Sequence, residues 1–533
     1  MKRFPFIIIA LLSMLGCSDK ATEPATPVNK GELERSYISV TLTSDDTTRA
    51  GREIEFEDGE SEERIVKSLY FFLFDGNGRP FDLGDGKNYK AVEVNEEGND
   101  PTTSGADGKP NVSDVKDKVL FFENYVGEYP AKIVAVINWT PMGNQYSLDA
   151  LSEQMVALKG AGEAFVMSNS VYVAQSNNTD AKKVAIRATA LTIDNIAKDE
   201  ATALANPVRI NVERIAAKVT VNTNEENLYD IGEEVNGTKV YARVLGWELY
   251  NAYNKSYLLK SINPEWTATE IGFNWNDPTW FRSYWAISLK NPFGEENKLS
   301  YEDLTNAVDA SDYCGENTYN EHCTKVVVKA ELVKQVGDTY EAVEIAKWYG
   351  NDYLGEAALR TVVANTLASQ LYYLEGGEYK GIHFDDLKVV EFNEPNPNTQ
   401  AALKSYHVFF QLSEQGEQKA WYIYSSTEGF KETAKDNVNV ILGGVEPALL
   451  YKGGQAYYHT DIKHLGASGS IAEFGVVRNH VYKVNIKKIT GYGTPVFDSE
   501  TGFNPVTPED ISTYVSADVR ILSWRVVEHR YDL

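Results

Sequence analysis

Cysteine is scarce in this chain. Three occur in 533 residues, Cys17, Cys314 and Cys323. A thiolate zinc centre is excluded, because Cys314, Cys323 and the nearby His322 are too few ligands. Cations are also short, with 51 Lys and Arg against 77 Asp and Glu, a formal net charge of −26. Phosphate binding needs clustered Lys and Arg, and no basic stripe appears, so a nucleic-acid partner is excluded. No apolar run reaches the ~20 residues a membrane-spanning helix needs. The usual signatures of catalysis are missing: HExxH, GxSxG, a phosphate loop and a dinucleotide fingerprint are all absent. The seven His are scattered, and His459 and His464 have only Asp461 as an obvious co-ligand. Asp75-Gly76-Asn77-Gly78 resembles the start of a calcium loop but lacks the later ligands, so it reads as a hairpin turn. Carboxylate pairs such as Asp385/Asp386 are expected by number alone in so acidic a chain. No catalytic residue, no metal and no cofactor are expected.

What the chain has in quantity is apolar and aromatic residue types. Hydrophobic residues make up 43%, enough for packed interiors, and the 32 Tyr, 21 Phe and 9 Trp favour β structure. A length of 533 residues exceeds one ordinary core, so two domains are the natural division and three the next. Strand patterns recur at Val66–Phe74, Ala131–Asn138, Val208–Val221, Lys239–Tyr250, Lys325–Leu332, Ser405–Leu412, Tyr422–Tyr424 and Val481–Ile486. Helical spacing is confined to Ser147–Leu158 and to Glu356–Tyr373, where Leu359, Val363, Leu367 and Leu371 share a face. The expectation is a mainly β protein of two sandwich-like domains with a few short helices. The polar, turn-rich Asn222–Gly237 is the best boundary, giving domains over 50–228 and 229–510.

The two ends are the most informative parts. Lys2-Arg3, the apolar Phe6–Leu12 and Gly16-Cys17 read as residues 1–17 of a lipoprotein signal, with lipid on Cys17. An exported chain meets oxidising conditions, so Cys314 and Cys323 are candidates for a small loop-closing disulfide or else two free thiols. A tether then leads into Tyr37–Thr43, where Ile38, Val40 and Leu42 point one way. Residues 18–49 thus carry a β-strand followed by a cuttable Arg49-Ala50. At the other end, 511–533 is a tail whose last thirteen residues lack Gly and Pro. There Leu522, Trp524 and Val526 share one face, and Val527, His529, Tyr531 and Leu533 share the next. One strand reads as removable and the other as one to donate.

In this order the motifs resemble those of type V pilus fimbrillins, the lipoprotein-derived pilins related to FimA, and within them the minor-fimbrium (Mfa-type) branch. The stretches that carry the resemblance are the lipobox at Cys17, Thr48-Arg49-Ala50, Val66–Phe74, Phe165–Ser170, Val212–Val219, Arg282–Ala286, Tyr313–Thr318, Val476–Tyr482, Gly491–Val496 and Ile521–Val527. The resemblance implies a transthyretin-like fimbrillin architecture and a precursor lipoprotein of the outer membrane. It implies cutting by an Arg-specific protease at Arg49, with Arg52 a second candidate. The strand bearing Ile38, Val40 and Leu42 is then displaced, and a neighbour's tail, through Leu522, Trp524, Val526, Val527, Tyr531 and Leu533, takes its place.

The partners implied are copies of the chain itself head to tail, anchor and tip subunits, and the processing protease. The role implied is a surface fimbrium in adhesion, biofilm formation and virulence. The alternative is a monomeric outer-membrane lipoprotein that binds glycans through Trp247, Trp266, Trp275, Trp280 and Trp285, keeping residues 18–49 and packing its tail at home.

Overall fold

The computed structural model describes residues 33–43, 56–92, 94, 118–173, 185–261, 297–319, 321–391, 406–464, 469, 473–507 and 512–525. Among them strands dominate, with five α-helices of 4 to 13 residues, so the mainly β expectation is borne out.

The first unit is built on a sheet whose strands run in the order Tyr89–Val92, Leu69–Phe74, Lys132–Ile137, Met167–Asn169, Val208–Arg214, Leu33–Thr43, Lys118–Tyr125. Its centre is the antiparallel pair Leu69–Phe74 and Lys132–Ile137, in register from Leu69↔Ile137 to Phe74↔Lys132. Both are near-continuous apolar runs, as strands covered on both faces must be, and nearly every side chain is buried. The Asp75–Gly78 turn closes the first of them. Asp75 Oδ1 accepts from the N–H groups of Asn77 and Arg79, both at 2.8 Å, and Gly78 takes the positive φ of 81° that the turn requires.

The chain changes sheets at Ile215-Ala216. Val208–Arg214 belongs to the first sheet, whereas Ala217–Asn222 starts the second unit. The polar stretch Asn222–Gly237 lies within that second unit. It carries the strand Leu228–Val235, which turns at Asn236-Gly237 (φ 50° and 80°) into Thr238–Tyr250. Lys255–Tyr257 then returns to pair with Met155–Ala157, and Leu258 and Leu259 enter the first core.

Two sheets enclose the second core. One runs Ser311–Cys314, Ala217–Asn222, His480–Thr490, Tyr514–Arg525, Phe56–Asp58; the other runs Leu228–Val235, Thr238–Tyr250, Lys325–Val336, Gln455–Asp461, Thr494–Pro495. Val219, Val221, Val484 and Ile486 of the first face Val240, Ala242, Val326 and Val328 of the other across a closed interior.

A third core stands inside the stretch expected as one second domain. Ala346, Leu359, Val363, Leu367, Leu371, Trp421, Val438, Leu442 and Leu450 pack together, with the helices Gly355–Leu367 and Lys435–Gly443 over short sheets. This insert leaves and re-enters between Lys325–Val336 and Gln455–Asp461, which pair directly. The helix expected to reach Tyr373 ends at Leu367. The chain then enters the strand Leu371–Glu375, where Leu371 and Tyr373 alternate inward toward Trp421.

Candidate functional site

The amino-terminal strand Leu33–Thr43 is an interior strand of the first sheet. It runs antiparallel to Lys118–Tyr125 from Leu33↔Tyr125 to Val40↔Lys118, and parallel to Val208–Arg214 from Val40↔Val208 to Thr43↔Asn211. Alternation of β-branched and hydroxyl residues suits such a strand. Ile38 and Val40 have no exposed surface and Leu42 has 2%, all within the first core. The other face is covered at its middle. Ser39 is fully buried near the helix Glu200–Leu204, and Tyr37 exchanges backbone hydrogen bonds with Ala197 at 2.8 and 2.9 Å. At its head, Ser36 Oγ donates to Asn124 Oδ1 at 2.7 Å.

The terminal strand Tyr514–Arg525 lies in the second unit. It pairs antiparallel with His480–Thr490 from Tyr514↔Thr490 to Ser523↔His480, with an irregularity between Ile486 and Lys488. On its other side Phe56–Asp58 pairs with it in parallel, Phe56↔Ser523 to Asp58↔Arg525. Of the expected donor residues, Leu522 and Trp524 therefore have backbones held within their own subunit, opposite Val481 and Glu57. Val526, Val527, Tyr531 and Leu533 lie outside the described residues, as do Cys17, Arg49, Ala50 and Arg52. Two halves of the expected site are thus seen far apart in topology: Ile38, Val40 and Leu42 in the first sheet, Leu522 and Trp524 in the second unit.

Between them lies a cluster that sequence reasoning missed. The stretch Phe56–Arg64, which follows Arg49 and Arg52 in the sequence, converges on the buried Lys218. Its Nζ stands 3.0 Å from Glu63, 3.2 Å from Glu60 and 3.4 Å from Glu57. Glu57 also pairs with Lys483. Glu63 accepts from Tyr313 Oη at 2.6 Å and from the Glu60 N–H at 2.7 Å, while its carbonyl accepts from Arg214 Nε at 2.8 Å. Burial by itself would push the Lys218 pKa down, but the carboxylates of Glu63, Glu57 and Glu60 outweigh it and hold the ammonium above its ordinary value. Burial would likewise raise Glu63, yet Tyr313, Lys218 and Arg214 outweigh it and hold the carboxyl below its ordinary range. Both groups are therefore charged at neutral pH. The signal in the sequence was an acidic run, Glu53–Glu63, which reads as a solvated loop until Lys218 is placed beneath it.

A second buried charge cluster joins the first two units. Lys260 Nζ is 3.2 Å from Glu213, and an Arg478 guanidinium nitrogen is 2.7 Å from Glu316, all four side chains nearly inaccessible. Arg478 also donates to the carbonyls of Leu258 and Tyr257. Burial moves Glu213 up and Lys260 down, each toward its neutral form.

Cys314 and Cys323 are separate buried thiols, so the disulfide weighed from their spacing is not made. Burial pushes the Cys323 thiol up to about 12 and Cys314 higher still, which keeps both protonated and unreactive. Trp247 has no exposed surface and donates through Nε1 to Ala307 at 2.9 Å, a core residue with no face for a sugar. Trp266, Trp275, Trp280 and Trp285 lie outside the described residues. Among the described residues no group of His, Cys, Asp and Glu has a metal-holding arrangement, and no helix is long and apolar enough to cross a membrane.

Residues 449–530, which contain the His480–Thr490 and Tyr514–Arg525 pair, match the family model described as major fimbrial subunit protein type IV, fimbrillin, C-terminal. Over this segment the fimbrillin resemblance drawn from the sequence is supported. The chain is similar to a fimbrilin from Porphyromonas gingivalis W83, with 13% identity, a TM-score of 0.36 and coverage of 92% of this chain and 98% of that one. It is similar to a putative cell adhesion protein from Parabacteroides distasonis ATCC 8503 (14%, TM-score 0.35, 92% and 98%). It is also similar to a tip fimbrial protein from Porphyromonas gingivalis (13%, TM-score 0.27, 92% and 100%). No curated protein matches.

Proposed function

We propose that this protein is a structural subunit of cell-surface fimbriae, a type V pilin that supports adhesion and biofilm formation. In this reading the precursor is lipidated on Cys17 at the outer membrane, and an Arg-specific protease cuts at Arg49, with Arg52 the second site. The cut removes Leu33–Thr43, and the tail of the next subunit fills the vacancy. Donor residues come from Leu522, Trp524, Val526, Val527, Tyr531 and Leu533. The partners are copies of the chain head to tail, with anchor and tip subunits at the ends.

The observation that carries the reading is the position of Leu33–Thr43. It is an interior strand with both neighbours hydrogen-bonded to it, and it is joined to the rest of the chain through a stretch containing Arg49 and Arg52. Removing such a strand leaves two unpaired backbone edges and an apolar slot, a surface that seeks a replacement strand. Ile38, Val40 and Leu42 fill that slot, and burying large apolar side chains contributes roughly 1.5–3 kcal/mol each. A donated strand with three matching anchors therefore regains about 5–9 kcal/mol before its ordering cost. A contact of this head-to-tail kind does not close on itself and extends into a filament.

Amino-terminal sequencing of protein sheared from the cell surface tests the reading. A start at Ala50 or Glu53, in ladders that resist heat, is expected. A monomer that retains lipidated Cys17 would overturn it in favour of a glycan-binding lipoprotein.

A further inference from the structure

We infer that Lys218 anchors a latch: through Glu57, Glu60 and Glu63 it holds the stretch beyond the cutting arginines in place after processing, and Phe56–Asp58 thereby keeps the terminal strand at home through Arg525. What the latch means for assembly rests on the strand-exchange reading; the latch itself does not.

The stretch from Leu33 to Arg64 has two attachments. Leu33–Thr43 is held in the first sheet, while Phe56–Arg64 is held on the second unit. Arg49 and Arg52 lie between the two attachments, so a cut at either severs one from the other. The partners described for Phe56–Arg64 are downstream of the cut. Lys218 and Tyr313 belong to neighbouring strands of the second unit, Lys483 to a third, and Arg214 to the last strand of the first sheet. None of these contacts needs the departing strand. Lys218 has 2% of its side chain exposed and Glu63 3%, so this pair is shielded from water on both sides, with Glu57 and then Glu60 completing the set toward solvent.

Among the described residues Phe56–Asp58 is the outermost strand of its sheet and pairs with Ser523–Arg525. While it stays, those three residues have a ladder on both sides. The sequence past that ladder begins at Val526 and counts eight residues to Leu533. This selects between the two faces of the tail. Leu522 and Trp524 stay home, and the donated face is Val527, His529, Tyr531 and Leu533, at the two-residue spacing by which Ile38, Val40 and Leu42 fill the slot.

The test uses the full chain, cut with an Arg-specific protease and kept monomeric at low concentration. Hydrogen exchange is read by mass spectrometry over residues 56–64 and 514–525. Slow exchange in both stretches before and after the cut is expected. Lys218→Met should speed exchange at 56–58 and 523–525 at least tenfold, and Lys218→Arg should restore protection. Loss of protection on cutting alone, or no change in Lys218→Met, would overturn the latch. Should Lys218→Met fail to fold, Glu57→Gln with Glu60→Gln is used in its place, with the same outcomes.

A second arm locks the latch with a disulfide between cysteines placed at paired positions, Glu57→Cys with Trp524→Cys. Ladders that form with the lock closed support the donated face beginning past Arg525. Ladders that form only after reduction would overturn that assignment while leaving strand exchange standing. No ladders from any chain would sink strand exchange and the face assignment with it, the exchange rates still deciding the latch.

Discussion

Val40 stands in parallel register with Val208 while its other edge pairs with Lys118. That arrangement makes the amino-terminal strand an interior member of its sheet. Its loss cannot be absorbed as the loss of an edge would be, because Val208–Arg214 and Lys118–Tyr125 would both lose the strand that joins them.

Truncating an anchor in that strand measures how firmly it is held. Ile38 is fully buried in the first core, and an Ile→Ala change at such a site costs about 2–5 kcal/mol. Urea unfolding of the uncut Ile38→Ala chain should show this loss in the first unit. A change under 1 kcal/mol would mean that the strand is not packed as described.

Removing both arginines separates processing from folding. Arg49→Ala with Arg52→Ala should leave the uncut stability unaltered, abolish the start at Ala50 or Glu53, and prevent ladder formation. Ladders from the double variant would show that assembly does not need this cut.

Asn138 ties the head of the first sheet together at a positive φ of 62°. Its side chain accepts from the Lys67 N–H at 2.7 Å and donates to the carbonyls of Ile65 at 2.7 Å and Phe165 at 2.8 Å. Asn138→Ala leaves three partly or fully buried backbone hydrogen bonds unmade and strains the backbone, so a loss of about 2–4 kcal/mol is expected in thermal or urea unfolding. Asn138→Gly relieves only the backbone part and should lose less.

Acid should weaken the fold in two steps. Burial, then Lys325, pushes His459 down to about 4, below its ordinary 6.5. Between those values the unfolded chain binds a proton that the folded chain refuses, so stability falls as pH drops from 6.5 to 4, by at most about 3 kcal/mol. Glu63 acts lower. Its carboxyl is held below the ordinary 4.5, so its contribution is present above that pH and is lost as pH falls through the folded value. Urea midpoints across pH 7 to 3 should show both steps, and His459→Gln should flatten the upper one.

The thiols offer a direct reading of the second core. In a Cys17→Ser chain a thiol reagent should find no reactive group in the native protein and two after unfolding without reductant. None after unfolding would mean that Cys314 and Cys323 are joined.

Much of the fold was legible because local pattern and burial agree. Leu69–Phe74 and Lys132–Ile137 are apolar runs that a sheet centre demands, and Ser147 caps its helix as its hydroxyl predicts, accepting from the Ala150 N–H at 3.1 Å, although that helix ends at Ser152 and not Leu158, where Met155–Ala157 pairs as a strand. The pattern misled where both periods were satisfied at once. Leu371 continues the helical face of Leu359, Val363 and Leu367, yet it is buried as a strand residue beside Tyr373. Ile38, Val40 and Leu42 were legible as one face, since strict alternation has no second reading. Their place between Val208–Arg214 and Lys118–Tyr125 was not, because parallel pairing joins residues more than 160 positions apart in sequence. Lys218 was invisible for the same reason. Its three carboxylates come from a distant acidic run, and the lysine itself sits in an ordinary strand pattern.

The insert between Lys325–Val336 and Gln455–Asp461 starts and finishes on strands that pair with each other, Glu331 opposite Gln455. It is a cassette. Whatever length or shape the chain takes between those two positions, the register of the sheet that bears it is unchanged. Insertions or deletions within that outgrowth are therefore expected to leave the pairing of Lys325–Val336 with Gln455–Asp461 intact.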